Sequence, residues 1–306
     1  MNIVIIGTGG VGGYFGGRLA VAGNQVTFIA RGKHLGAIQE NGLSVNSVLG
    51  DFVVQPAIVS SDLSMVGNAN LVIVATKAWQ VKGVAAEMAP LLKSETLVLP
   101  LQNGVLAADE LAMFIPKRQI IGGLCKIFSM IKKPGVIHHL GGPSSITFGE
   151  LDHVVTERVR HLKAVFDEAG IKNYLSNQIE VELWQKFLMI CSSALLAVTR
   201  TNYGELRTIP ETRQLLVELY TEIYNVGIAA GIGFPNDIVD RTMAAVDNFP
   251  AASNSSLTRD VLEGKPSEIE YQNGAVVKIG EKYGVATPVN RLVYYSVLPS
   301  ELRARK

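Results

Sequence analysis

Asn2-Ile3-Val4-Ile5-Ile6, followed at once by Gly7-Thr8-Gly9-Gly10-Val11-Gly12, is the stretch from which the fold is read. The first five residues form a β-branched run, the pattern of a strand buried on both faces. Residues 11–22 have helical character and stop at Gly23-Asn24, a C-cap signal. Gln25–Ala30 (QVTFIA) follows as a second strand. Strand, helix and strand thus make one βαβ unit. The glycines match G-x-G-x-x-G in the context that gives the pattern meaning, after a strand and opening a helix. The first permits a tight turn, the second lets the backbone approach a pyrophosphate, and the third lets the helix pack close to the strand. The helix N-terminus then offers N–H groups and the positive end of its dipole to phosphate. Gly7, Thr8, Gly9, Gly10, Val11 and Gly12 are therefore the candidate cofactor loop.

The residue closing the second strand separates the two nicotinamide dinucleotides. An NAD site usually has Asp or Glu there for the ribose 2′-hydroxyl. Here the chain has Ala30-Arg31-Gly32. A guanidinium pairs with a 2′-phosphate that a carboxylate would repel. The expected cofactor is NADP(H), with Arg31 on the phosphate.

Outward from this unit, strand-like runs at 71–75 (LVIVA) and 96–101 (TLVLPL) alternate with a helix over 79–92. Alternation of this kind predicts a doubly wound, mainly parallel α/β sheet. Residues 43–59 suggest a hairpin or irregular strands. Runs within 120–148, punctuated by Pro134-Gly135 and Gly141-Gly142-Pro143, predict antiparallel strands extending the sheet. A helix over 156–169 ends at Gly170, and 171–178 forms the boundary. The second half carries helices over 179–198, 210–230, 237–246, 256–263, 268–283 and 288–302. Pro210 suits a first turn, and Ser267-x-x-Glu270 fits a capping box. The expected architecture is an NADP(H)-binding Rossmann-type domain over 1–177 and an all-α substrate and catalytic domain over 178–306. Two domains leave a cleft, a frequent place for small-molecule sites.

Composition limits the functions available. The chain has 306 residues, 48% of them hydrophobic and 18% charged, which permits a sizeable core and excludes disorder. Twenty-eight basic against 27 acidic residues leave a net charge of +1, which argues against nucleic acid or an anionic membrane as the main partner. The longest apolar stretch, 187–198, falls short of a bilayer span, and MNIVIIG has no basic n-region. Cys125 and Cys191 make neither a disulfide framework nor a CxxC pair, as in a reduced, cytoplasmic compartment. No metal site is expected. His34, His153 and His161 lack ligand spacing, and the adjacent His138 and His139 point to opposite faces of a strand. The apolar helical half offers a surface for a homodimer.

Several side chains carry chemistry with an equally ordinary reading beside it. Lys77 and Asn103 stand at the carboxyl ends of two predicted strands, where ligands of open α/β sheets sit. Asn103-Gly104 is also ordinary turn sequence. Lys186 lies in an apolar run, four residues after Glu182, and suits either a helix-surface ion pair or a buried general acid. Glu268 is either a capping residue or an active-site acid.

The ordered set of motifs resembles the ketopantoate reductase (2-dehydropantoate 2-reductase) family. It comprises GTGGVG at 7–12, Ala30-Arg31, ATKAWQ at 75–80, QNG at 102–104, Pro134-Gly135-Val136, FGELD at 148–152 and WQKF at 184–187. Ser256-x-x-x-Asp260, Glu268 and the closing YGVATPVNRL complete it. The resemblance covers nearly the whole chain. It implies NADPH-dependent reduction of a 2-oxo acid to a 2-hydroxy acid, on the route to pantothenate and coenzyme A, at a site between a Rossmann-type and a helical domain. It further implies Lys186 as the catalytic lysine and Glu268 as the active-site glutamate. Ser256 is implied on the substrate, as is Asn202, which lies near a family asparagine; Asp260, four residues after Ser256 and able to share its helix face, is a candidate orienter. Arg31, Lys77 and Asn103 are implied on the cofactor. Two positions depart from the family's pattern. Asparagines often stand four and eight residues after the lysine, where this chain has Ile190 and Ala194. Neither side chain can hydrogen-bond a substrate. That departure motivates a second reading, a reductase of the same fold for a different 2-oxo acid. A third is a non-catalytic NADP(H)-binding regulator, which the retention of Lys186 and Glu268 disfavours.

Overall fold

The computed structural model describes residues 1–306 and divides into two units. The first comprises Met1–Gln102 and Ala107–Ile179, the second Asn103–Leu106 and Glu180–Lys306.

Unit 1 begins with β1 (Asn2–Ile6), α1 (Gly10–Val21), β2 (Gln25–Ile29) and α2 (Gly32–Asn41), then β3 (Leu43–Ser47), β4 (Phe52–Val54) and β5 (Ile58–Ser60). It continues with β6 (Leu71–Val74), α3 (Val81–Met88), β7 (Leu97–Pro100) and α4 (Ala107–Ala112). The last elements are β8 (Ile121–Lys133), β9 (Val136–Glu150), α5 (Glu157–Glu168) and β10 (Lys172–Leu175). The first sheet is wholly parallel, in the order β5-β2-β1-β6-β7. Strand β1 is buried on both faces, as its β-branched run predicts. Ile3 and Ile5 enter one core, whereas Val4 and Ile6 enter the other.

The long strands β8 and β9 depart from expectation. They do not extend the first sheet but build a second, ordered β10-β9-β3-β4 with β8 antiparallel to β9. Its parallel β9–β3 pairing joins residues some ninety apart, Ser44 with Val136 for example, and no local pattern announces such a pairing. The 43–59 segment also splits. Strands β3 and β4 pair antiparallel in the second sheet, and β5 joins β2 in the first. Helix α3 is shorter than expected and has 3₁₀ turns at Ala78–Gln80 and Ala89–Leu91.

Helix α1 lies against both sheets. A methyl group built on Gly16 would stand 2.7 Å from Ile5 Cγ1, and one built on Gly13 would stand 2.7 Å from Ile137 Cγ1. Both separations are well inside van der Waals contact, so the glycine-rich helix sequence is a packing requirement as well as a loop feature.

Unit 2 is helical: α6 (Ile179–Ile190), α7 (Ser192–Thr199), α8 (Tyr203–Thr208), α9 (Pro210–Ala229), α10 (Ile238–Asp247), α11 (Ser256–Leu262), α12 (Asn273–Tyr283) and α13 (Pro288–Ala304). The single helix expected over 179–198 is broken at Cys191. There the Ser192 hydroxyl donates to the Met189 carbonyl at 2.8 Å and competes with the helical ladder. Taken across the break, Ile179–Thr199 is 21 residues and holds an 18-residue stretch of mean hydropathy 1.4, long and apolar enough to cross a membrane. More than half of that stretch (56%) is buried in the fold, as in a core helix. Helix α8 is an element that the sequence pattern did not announce.

The expected capping box also fails to form. The Ser267 hydroxyl and backbone N–H both donate to Glu301 Oε2, at 2.6 and 2.8 Å, and Glu270 pairs with Lys278 at 2.7 Å. Glu268 accordingly caps a 3₁₀ turn, Ile269–Tyr271, rather than opening a long helix.

A buried carboxylate closes this unit. Glu222 on α9 accepts from the backbone N–H groups of Val289 (2.8 Å) and Asn290 (3.0 Å) and from Asn290 Nδ2 (2.8 Å). It thereby caps the N-terminus of α13, where the helix dipole favours an anion. Glu222→Ala strands these donors in the core and is expected to lower stability by about 3 kcal/mol, measured by urea unfolding. An unchanged midpoint would refute this assignment.

Candidate active site

In unit 1 the strand order reverses at β1, so the carboxyl ends of β1 and β6 mark a topological switch point, where open α/β sheets bind ligands. The loop between β1 and α1 lies there. Gly7 has φ +96°, and a Cβ on it would stand 2.8 Å from the Ala75 carbonyl. A Cβ on Gly12 would stand 2.1 Å from the Gly7 carbonyl oxygen. The protein's own backbone therefore forbids a side chain at either position. Gly9 is different. Its φ is an ordinary −81°, and a Cβ there would meet nothing within 4 Å. The space beside Gly9 is open, at the N-cap of α1.

Side-chain anchors hold this loop. The buried Thr8 hydroxyl donates to the Ile29 carbonyl at 3.0 Å. His34 Nε2 lies 2.8 Å from the Thr8 carbonyl oxygen, and its Nδ1 accepts from the Gly135 N–H at 3.0 Å. Burial pushes the His34 imidazole below its usual pKa, partly offset by the Thr8 hydrogen bond. Three buried polar atoms around the loop have no hydrogen-bond partner: Thr76 Oγ1, Gln102 Oε1 and Ser129 Oγ. Thr76 adjoins Gly7, and Gln102 Nε2 donates to the Thr76 carbonyl at 3.1 Å. Ser129 Oγ lies 2.8 Å from where a Gly10 side chain would start. The sequence pattern does not mark His34, Thr76, Gln102 or Ser129 as candidates; Gln102 adjoins the candidate Asn103, and His34 reads there only as a histidine without ligand spacing.

Arg31 is exposed at the N-cap of α2, directly after β2. Lys77 is exposed beyond the end of β6, with its Nζ 5.7 Å from the centroid of the Trp79 ring.

Unit 2 brings Asn103 and Glu268 together. Asn103 Nδ2 donates to Glu268 Oε2 at 3.2 Å, and the Glu268 side chain is buried. The preceding residue is clamped from both sides. Glu301 accepts from the Ser267 N–H, while Arg305 donates to the Ser267 carbonyl (3.1 Å) and to Glu301 Oε1 (2.5 Å). Lys186 is half-buried in α6. One turn further on, Ile190 is half-buried, and Ala194 on α7 is fully buried. Ser256 is exposed in the first turn of α11, with Asp260 on the same helix; Ser255 supplies the cap. Asn202 caps α8, its Oδ1 accepting from the Glu205 N–H at 3.0 Å, so that oxygen has a structural task. No group of three or more His, Cys, Asp or Glu residues could hold a metal ion.

Comparison with known proteins places this geometry. The family model "Ketopantoate reductase PanE/ApbA" matches residues 3–153, and its C-terminal counterpart matches 178–299. The family is one of NAD(P)-dependent oxidoreductases. An uncharacterized oxidoreductase, YkpB of Bacillus subtilis, is 30% identical over 96% of this chain and 97% of its own length. A 2-dehydropantoate 2-reductase of Nostoc is 29% identical over 96% of this chain and 93% of its own. Among solved structures, a PanE/ApbA family ketopantoate reductase from Ralstonia eutropha superposes with a TM-score of 0.92 at 31% identity, covering both chains in full. D-mandelate dehydrogenase, solved with NADH and anilino(oxo)acetate, superposes with a TM-score of 0.90 at 25% identity, also over both full chains.

The loop geometry separates two glycines by their physical roles. Gly12→Ala drives a methyl into the Gly7 carbonyl and is expected to destabilise the protein by about 3 kcal/mol, whereas Gly9→Ala should stay within roughly 0.5 kcal/mol of the unmutated protein. Thermal melts of the two variants check this. Equal melting points would contradict the close approach at Gly12.

Proposed function

The chain belongs to the ketopantoate reductase family of oxidoreductases, and we propose that within it the protein reduces a 2-oxo acid to a 2-hydroxy acid with NADPH, ketopantoate being the leading substrate. In this reading residues 1–177 bind NADP(H), and 178–306 form the helical substrate and catalytic domain. The observation that carries the cofactor assignment is Gly9. Nothing in the chain's own packing requires glycine there, and the open space lies at a helix N-cap. The orphaned Thr76, Gln102 and Ser129 atoms around the loop offer hydroxyl and amide oxygens to a ligand rich in phosphate and ribose. The residues present therefore fit a dinucleotide. Arg31, with no acid at the end of β2, favours the 2′-phosphorylated form. Gly7, Thr8, Gly9, Gly10, Val11, Gly12 and Lys77 complete the cradle, and Asn103 is assigned to the cofactor on the family pattern.

When bound, the nicotinamide would supply the hydride that the substrate's carbonyl carbon receives. The chain's own residues manage the charge that results. Negative charge develops on the carbonyl oxygen, and the Lys186 ammonium stabilises it and donates the proton that completes the alcohol. Glu268 is the active-site acid, and its hydrogen bond from Asn103 fixes the orientation of that amide. Ser256 and Asn202 are assigned to the substrate, Asn202 through the amide nitrogen that its capping bond leaves available. Ile190 and Ala194 favour a second reading, a 2-oxo acid whose side chain is more apolar than that of ketopantoate. At these two positions the side chains offer a substrate hydroxyl no hydrogen bond, so they gain nothing from one.

Lys186→Ala is expected to lower turnover by roughly 10²–10³ while circular dichroism and the thermal melt remain those of the unmutated protein. Near-normal turnover would remove Lys186 from the chemistry.

A further inference from the structure

His34 holds two backbone groups that leave it only one state. The Thr8 carbonyl can only accept, so Nε2 must carry the proton; the Gly135 N–H can only donate, so Nδ1 must be bare. The ring is thus the neutral Nε2–H tautomer. Gly135 is itself fixed in the β8–β9 turn, at φ +79°, with its carbonyl accepting from the Ser44 N–H at 3.0 Å. His34 therefore ties the dinucleotide loop to the second sheet through two hydrogen bonds.

The Thr8 carbonyl and the Gly9 N–H belong to one peptide plane and point in opposite directions across it. A carbonyl turned toward His34 turns the Gly9 N–H away from the ring, on the residue whose side-chain position is open. Glycine gives this peptide unusual freedom to rotate. Thr8 is held through its hydroxyl on Ile29, but that bond leaves the carbonyl direction unset.

We propose that His34 is a positioning residue for the cofactor: by holding the Thr8 carbonyl it fixes the Thr8–Gly9 peptide with the Gly9 N–H directed at the pyrophosphate. The inference rests on the NADP(H) reading above and assigns His34 no contact with the substrate. It separates cofactor affinity from chemistry. Loss of the tether frees the peptide to rotate in the unliganded protein, and binding must then restore its orientation.

Calorimetric titration of NADPH into the unmutated protein, His34→Leu and His34→Gln tests the proposal. Leucine fills the space without donor or acceptor, whereas glutamine offers one of each. The leucine variant should bind NADPH about tenfold more weakly, with glutamine restoring most of the loss and kcat at saturating NADPH unchanged in both. Equal affinity in the leucine variant, or a glutamine variant as impaired as the leucine one, overturns the inference. If the leucine variant does not fold, long-range proton–nitrogen spectra of the unmutated protein decide. They should show His34 protonated at Nε2 and bare at Nδ1, and the opposite tautomer overturns the tether. An unmutated protein that binds no dinucleotide overturns the functional reading and this inference together; a failure confined to the variants overturns this inference alone.

Discussion

The close approach of α1 to β1 is the constraint on which the rest of unit 1 depends. With Gly12 against the Gly7 carbonyl and Gly16 against Ile5, the helix reaches the sheet at a distance no side chain permits. That distance places the helix N-terminus at the switch point of the sheet. The adjacent face of the same helix, through Gly13 and Gly17, meets the second sheet at Ile137 and Phe52. One glycine-rich helix therefore joins the β1–α1 loop to both sheets, and the His34 hydrogen bonds link that loop to the second sheet.

Much of this was legible in the sequence for a definite reason. Strands β1, β2, β6 and β7 are local runs of apolar residues, and a local period reports them directly. Features set by distant partners were not legible. The antiparallel pairing of β8 with β9 is local and readable, but β9 finds β3 across some ninety residues, so no local pattern announces the second sheet. Ser267 is claimed by Glu301, 34 residues later, which defeats the local capping box. The break at Cys191 lies between apolar segments that carry the same pattern on either side, and the Ser192 hydroxyl bonds back to the Met189 carbonyl across it.

The site divides along the same line. The glycine loop and Arg31 are sequence-local, so spacing and position after a strand are enough to propose them as cofactor contacts. The Asn103–Glu268 hydrogen bond joins residues 165 apart, and only the folded chain shows it. Glu268 could be chosen over Glu270 only by resemblance; the structure separates them physically, one buried on Asn103 and the other half-exposed on Lys278. The near-zero net charge conceals a division of labour. The cations assigned to phosphate and substrate (Arg31, Lys77 and Lys186) are offset by acids elsewhere, such as Glu222, Glu301 and Glu150, that accept hydrogen bonds inside the fold.

The proposed activity is the reduction of 2-oxo acids with NADPH. Steady-state oxidation of NADPH and NADH by the unmutated protein, with ketopantoate beside smaller and more apolar 2-oxo acids, tests it most directly. Turnover with at least one 2-oxo acid is expected, with a kcat/KM for NADPH well above that for NADH. The acid most readily reduced then distinguishes ketopantoate from the apolar alternative raised by Ile190 and Ala194. Binding of NADPH without its oxidation by any 2-oxo acid would refute the proposed activity and leave a dinucleotide-binding regulator in its place.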